Sequence, residues 1–132
     1  MDAVRVDRRG RFVVKQQEGG QRADKPVSDV TSLSMLDAWL VEPAIALVVA
    51  SFSDGRVFTL ARQLRQMGFE GRLEVVGDLL PDQLPMLLEA GVDVLEISAQ
   101  HARRCDEAQW TDIAAQGRFG YQHHNGRAAI AE

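Results

Sequence analysis

Two short polar stretches carry the residue types that could do chemistry. The first is Asp54-Gly55-Arg56, with Thr59 close behind it. The second is Asp78, followed by Asp82-Gln83. A guanidinium beside free helix amides can hold an anion such as phosphate, sulfite or a nucleotide phosphate. Two carboxylates in one cleft can bind Mg²⁺ or divide acid and base roles. Asp54, Gly55, Arg56, Thr59, Asp78, Asp82 and Gln83 are therefore the candidate substrate-binding set. A structural reading stands beside the chemical one. Asp54 caps a helix, Gly55 eases the turn, Arg56 pairs with Asp78, and Asp82 complements a helix dipole. His101 and Cys105 are spaced for one helix face, but two ligands do not close a metal site, so no metal is assigned. Cys105, between Arg104 and Asp106, is either a somewhat activated thiol or a plain surface cysteine.

These residues need elements to position them. Ala44-Ile45-Ala46-Leu47-Val48-Val49-Ala50 is an unbroken apolar run, suited to a strand buried on both faces. Val57, Leu60, Ala61, Leu64 and Met67 then repeat at helical spacing, and Gly68 suits the helix end. On this reading Arg62 and Arg65 fall on the surface. Leu73-Glu74-Val75-Val76 reads as a second strand and closes at Gly77-Asp78. The polar stretches thus fall at the carboxyl ends of parallel strands, where open α/β sheets bind ligands.

Further along, Pro81 suits a first helical position, whereas Pro85 requires that helix to begin late or bend. Val92 to Ile97 is a third strand, whose partial alternation places it nearer an edge than the first. A helix follows within His101 to Gln116, with Trp110, Ile113 and Ala114 inward and Phe119 and Tyr121 returning to pack. Upstream, Val4-Arg5-Val6-Asp7 and Arg11 to Val14 flank Arg8-Arg9-Gly10 as a β-hairpin. Gln16 to Thr31 reads as a flexible linker. Leu33, Leu36, Trp39 and Leu40 mark a short helix that Glu42-Pro43 stops, with Trp39 a core anchor. The expected fold is α/β: a short parallel β-α-β-α-β core with an N-terminal β-hairpin and flanking helices. Residues 1–32 are hairpin and linker, 33–122 the α/β domain, and 123–132 a disordered tail. Strands in sequential order put both crossover helices on one face, so the other must be covered by a flanking helix or another subunit. A homo-oligomer is expected on that ground.

Composition narrows the function classes. A chain of 132 residues points to one domain, and 26% charged residues is ordinary for a soluble protein. No apolar run approaches the roughly 20 residues that span a bilayer. The N-terminus lacks a signal-peptide core, and a lone cysteine excludes an intrachain disulfide, so the cytoplasm is expected. Residues 1–25 hold seven Lys/Arg against four Asp/Glu, a net of +3, which leaves −7 for the rest of a chain whose total is −4. An acidic body argues against general nucleic-acid binding. The basic N-terminus is either a partner-binding arm or a solvated hairpin. No Gly-x-Gly-x-x-Gly fingerprint supports a dinucleotide, and no cofactor is assigned.

Taken together, Phe52-x-Asp54-Gly55-Arg56-x-x-Thr59-x-Ala61-x-x-Leu64-Arg65, then Gly68-Phe69-x-Gly71-x-Leu73, Gly77-Asp78, Asp82-Gln83 and Gly91-x-Asp93 form a pattern. It resembles the bacterial domain of unknown function 934 family over roughly residues 33–98. The family's members are commonly encoded beside assimilatory sulfite reductase and are loosely labelled oxidoreductases. The chain departs from its pattern in three places. Thr59 replaces the usual Ser, Gly91-Val92-Asp93 replaces Gly-Phe-Asp, and Leu73-Glu74-Val75 stands where Leu-Arg-Ala is usual, an acid in place of a cation. The resemblance implies an accessory protein of sulfite reduction that binds the reductase or its electron donor. The alternative is a small enzyme or ligand-binding domain that holds an anionic substrate at the strand ends.

Overall fold

In a computed structural model that describes residues 3–13 and 22–124, with the backbone alone over 117–124, the apolar run forms strand β4 (Ala44–Val48). A turn leads to helix α1 (Arg56–Gln66), then to strand β5 (Arg72–Val76). A 3₁₀ turn (Pro81–Gln83) precedes helix α2 (Leu84–Glu89), so the helix begins late and Pro85 falls in its first turn, where no amide is needed. Strand β6 (Val94–Ile97) is followed by two helices, α3 (Ala99–Arg104) and α4 (Glu107–His124), where one was expected.

Both crossover helices end alike. Gly68 (φ +101°) and Gly91 (φ +100°) take the left-handed conformation, and the next amides, of Phe69 and Val92, reach back to the Leu64 and Leu87 carbonyls. That closure satisfies carbonyls the helix would otherwise leave bare, and it favours glycine.

Strands β1 (Val4–Val6) and β2 (Phe12–Val13) are the expected hairpin. It docks on β6, with Val4, Arg5 and Val6 antiparallel to Ile97, Glu96 and Leu95. Strand β3 (Ala23–Pro26) lies within the stretch read as linker. It runs parallel to β4, Asp24 facing Ala46 and Pro26 facing Val48. Its charged residues hid it, and a terminal proline is admissible on an edge strand. The stretch read as a short helix is a 3₁₀ segment, Leu33–Val41, which buries Leu36 and Trp39. The sheet order is β2-β1-β6-β5-β4-β3, with β3 to β6 parallel. Strand β6 is therefore more central than β4, the reverse of the expectation.

Because the parallel strands follow in sequence, right-handed crossovers put every connecting helix on one face. Ile45, Leu47, Leu73, Val75, Leu95 and Ile97 point there and share one core with Val57, Leu64, Leu87 and Trp110. The other face is not bare and apolar, so the packing argument for a second subunit loses its premise. At its centre sit Glu74, fully buried, and Glu96. Arg5 donates to Glu74 Oε2 (2.9 Å) and Oε1 (3.1 Å), Arg22 to Glu74 Oε1 (3.0 Å) and Glu96 Oε1 (2.9 Å), and Arg72 to Glu74 Oε2. Burial alone would raise the Glu74 carboxyl, but the hydrogen bonds from Arg5, Arg72 and Arg22 outweigh it and hold it down at about 2. These three cations balance the Glu74 charge.

The expected tail begins inside α4, which includes His123 and His124; residues 125–132 lie outside the described ones. Whether Phe119 and Tyr121 return to pack falls on side chains that are not described.

Candidate functional site

At the carboxyl ends of β4, β5 and β6 the chain leaves a cleft of about 390 Å³. Val49, Gly77, Asp78, Glu96 and Ser98 are among its lining residues, and Ala3 closes one side. Gly77 is required by closeness: a Cβ there would lie 2.8 Å from the Val49 carbonyl oxygen. Asp78 follows β5 as expected, but its partner is not Arg56. Its Oδ1 accepts from the Ser98 amide (2.7 Å) and its Oδ2 from the Ser98 hydroxyl (2.8 Å), while Ser98 Oγ accepts from the His101 amide. Asp78 thus braces the entry to α3.

Asp54 and Arg56 close on each other. Arg56 Nη2 donates to Asp54 Oδ2 (2.6 Å), and its Nε (2.9 Å) and backbone amide (3.1 Å) donate to Oδ1. Those bonds lower the Asp54 carboxyl below its ordinary range and raise the Arg56 guanidinium. Asp54 takes the amide of the first helical residue, much as a cap would, although the position just before α1 is Gly55. Gly55 has ordinary backbone angles (φ −74°) and open space around it, so no conformational need for glycine is visible there. Arg56 is more than half exposed and is not among the cleft's lining residues.

Gln83 joins the two loops. Its Nε2 donates to the Phe52 carbonyl (2.8 Å) and its Oε1 accepts from the Leu80 amide (2.8 Å). Phe52 and Leu80 thereby stay 50% and 37% exposed at a braced rim. Asp82 is exposed in the same 3₁₀ turn, and Thr59 is exposed on α1. The candidate residues therefore separate into an exposed rim, built from Asp54, Arg56 and Gln83 around Phe52, and a cleft that takes only Asp78.

Sequence reasoning missed Ser98, whose only signal is its place after β6. It also misread Arg65. That guanidinium donates to the carbonyls of Gly91 (3.0 Å), Phe69 (2.8 Å) and Gly71 (3.0 Å), and to Asp93 Oδ2 (3.0 Å). Asp93 in turn accepts from the Leu73 amide. Arg65 is thus a staple at the amino ends of the strands, linking the Gly-Phe-x-Gly and Gly-x-Asp parts of the pattern. His101 is buried, with Nε2 2.6 Å from the Leu79 carbonyl oxygen. Among the described residues no group of three His, Cys, Asp or Glu is placed to hold a metal ion. Nor is any helix among them long and apolar enough to cross a membrane.

The sequence profile of a family described as bacterial protein of unknown function (DUF934) matches residues 26–129. The chain belongs to that family. Comparison of this DUF934 protein with curated proteins and with solved structures gave no match. The family match covers the rim, the cleft apart from Ala3, and the Arg65 staple, and begins after the hairpin and Arg22. The ion cluster of this DUF934 member therefore joins residues outside the matched range, Arg5 and Arg22, to Glu74 and Glu96 within it.

Proposed function

We propose that this protein is an accessory protein that docks on a partner enzyme through the rim at the carboxyl ends of the sheet. The observation that carries this reading is the Gln83 bridge, which braces two loops and leaves Phe52 half exposed between them. An exposed aromatic on a braced loop, with an exposed leucine across the bridge and Arg56 further along the same loop, is the composition of a protein-binding anchor. Its loop is pre-ordered by the Asp54–Arg56 pair and by Ser51, which accepts from the Ser53 and Asp54 amides, so binding freezes little further motion. The partner implied by the family resemblance is assimilatory sulfite reductase or its electron donor.

The cleft is the competing site, for a small enzyme or ligand-binding protein. Its lining carries Asp78 and Glu96, the latter already paired with Arg22 and Arg5, and no cation among the lining residues is left to receive an anionic substrate. Both oxygens of Asp78 already accept hydrogen bonds from Ser98, which leaves it poorly placed as a base.

The test is surface plasmon resonance with immobilised sulfite reductase holoenzyme. The wild-type chain is expected to bind, and Phe52→Ala to bind at least tenfold more weakly with an unchanged melting temperature. Absence of a complex, or equal binding by the variant, would reject the rim as the docking surface.

A further inference from the structure

The β1–β2 turn, Asp7 to Arg11, lies at the amino ends of the parallel strands, at the opposite end of the sheet from the rim, because β1 runs antiparallel to β6. Arg8, Arg9 and Arg11 are exposed there and form no ion pair among the described residues. By contrast Arg5, Arg22, Arg56, Arg65 and Arg72 are all engaged with carboxylates.

The turn that presents these arginines is fixed. Asp7 Oδ1 accepts from the amides of Arg9 (2.8 Å) and Arg11 (2.9 Å), and the Asp7 amide donates to the Arg11 carbonyl. Gly10 (φ +81°) is buried against α4, where a Cβ would lie 2.4 Å from the Trp110 carbonyl oxygen. Glu107 Oε2 accepts from the Phe12 amide (2.9 Å), which pins the hairpin to the first turn of α4. Between them runs a groove of about 700 Å³ lined by Arg9, Arg11, Glu107, Ala108 and Thr111.

We infer that this turn is a docking surface for an acidic segment of a partner protein, with the Arg9 and Arg11 guanidiniums receiving its carboxylates in the groove. Guanidinium and carboxylate match as planar forks, and a fixed backbone spares the entropy that loose surface arginines would lose on binding. A short acidic segment can meet the two guanidiniums within the groove, whereas a long polyanion would extend over the body, whose residues 26–132 carry a net −7. Charge complementarity thus selects an acidic peptide over a nucleic acid. The inference does not depend on the rim, since the variant that tests it leaves Phe52 and Gln83 untouched.

The experiment is fluorescence anisotropy of a labelled ten-residue polyglutamate peptide titrated with the full chain at low salt. Wild type is expected to bind, with affinity falling as salt rises. The double variant R9Q/R11Q is expected to lose at least tenfold while keeping the wild-type melting temperature, because the turn's bonds are made by backbone atoms and Asp7. Arg62→Gln, an exposed arginine on α1, should bind like wild type. Failure of the wild type to bind, equal binding by R9Q/R11Q, or tighter binding of a single-stranded DNA of equal length would overturn the inference.

Discussion

Replacing Glu74 by Gln keeps the shape of the side chain and removes its charge from the centre of the ion cluster. Three guanidiniums, those of Arg5, Arg22 and Arg72, then face an amide that cannot accept their bonds as a carboxylate does. The Glu74 carboxyl is held at about 2, against an ordinary value of 4.5. At about 1.4 kcal/mol per pH unit, that difference amounts to about 3 kcal/mol of folding stability. Since the folded value is the lower one, this contribution is complete above pH 4.5 and disappears as the pH falls from 4.5 towards 2. Urea unfolding followed by the fluorescence of Trp39 and Trp110, both buried, reads it directly. At pH 7 Glu74→Gln should be less stable than wild type by about 3 kcal/mol, and the two curves should approach each other by pH 2.5. Equal stability at pH 7, or an unchanged gap between pH 5 and pH 2.5, would refute the assignment of Glu74 as the hub.

Two further perturbations test the scaffold. Arg65→Met removes four hydrogen bonds from a charged donor and should cost about 2–3 kcal/mol, lowering the melting temperature by roughly 10 °C. Arg65→Lys should recover little of this, because one ammonium cannot span the same acceptors. Gly10→Ala and Gly68→Ala both force alanine into left-handed backbone, but only the first also drives a methyl into Trp110. Gly68→Ala should cost about 1–2 kcal/mol. Gly10→Ala should cost more and speed amide exchange in β1 and β2.

The parts legible in the sequence were those with local causes. An apolar run, a helical repeat and a closing glycine sufficed to place β4, α1 and β5, because each signal lies within the element it defines. Strand β3 was illegible, since Ala23-Asp24-Lys25-Pro26 draws its order from pairing with β4 rather than from its own pattern. The ion cluster was beyond reach for the same reason: Arg5 and Glu96 are 91 positions apart. Glu74 was visible only as an acid out of place in the family pattern. Alternation in Val94-Leu95-Glu96-Ile97 suggested an edge, yet it records a central strand with an ion cluster on one side. At the candidate site, Asp54 and Gln83 were legible as polar residues after β4 and β5, but their bonds to Arg56 and to the Phe52 backbone had no one-dimensional trace. Arg65 reads as a surface residue because it lies off the apolar stripe of α1, while its partners come from distant turns.

The pairing of β1 with β6 bears on how the chain is made. Strand β1 is made long before β6, and Arg5 and Arg22 must wait for the Glu74 stretch to emerge. During synthesis the nascent hairpin has no sheet to join until Ile97 is clear of the exit tunnel. Closure is therefore expected only once Ile97 has emerged, and a chain lacking residues 1–32 would leave Glu74 and Glu96 in the interior with Arg72 as the cluster's remaining cation among the described residues.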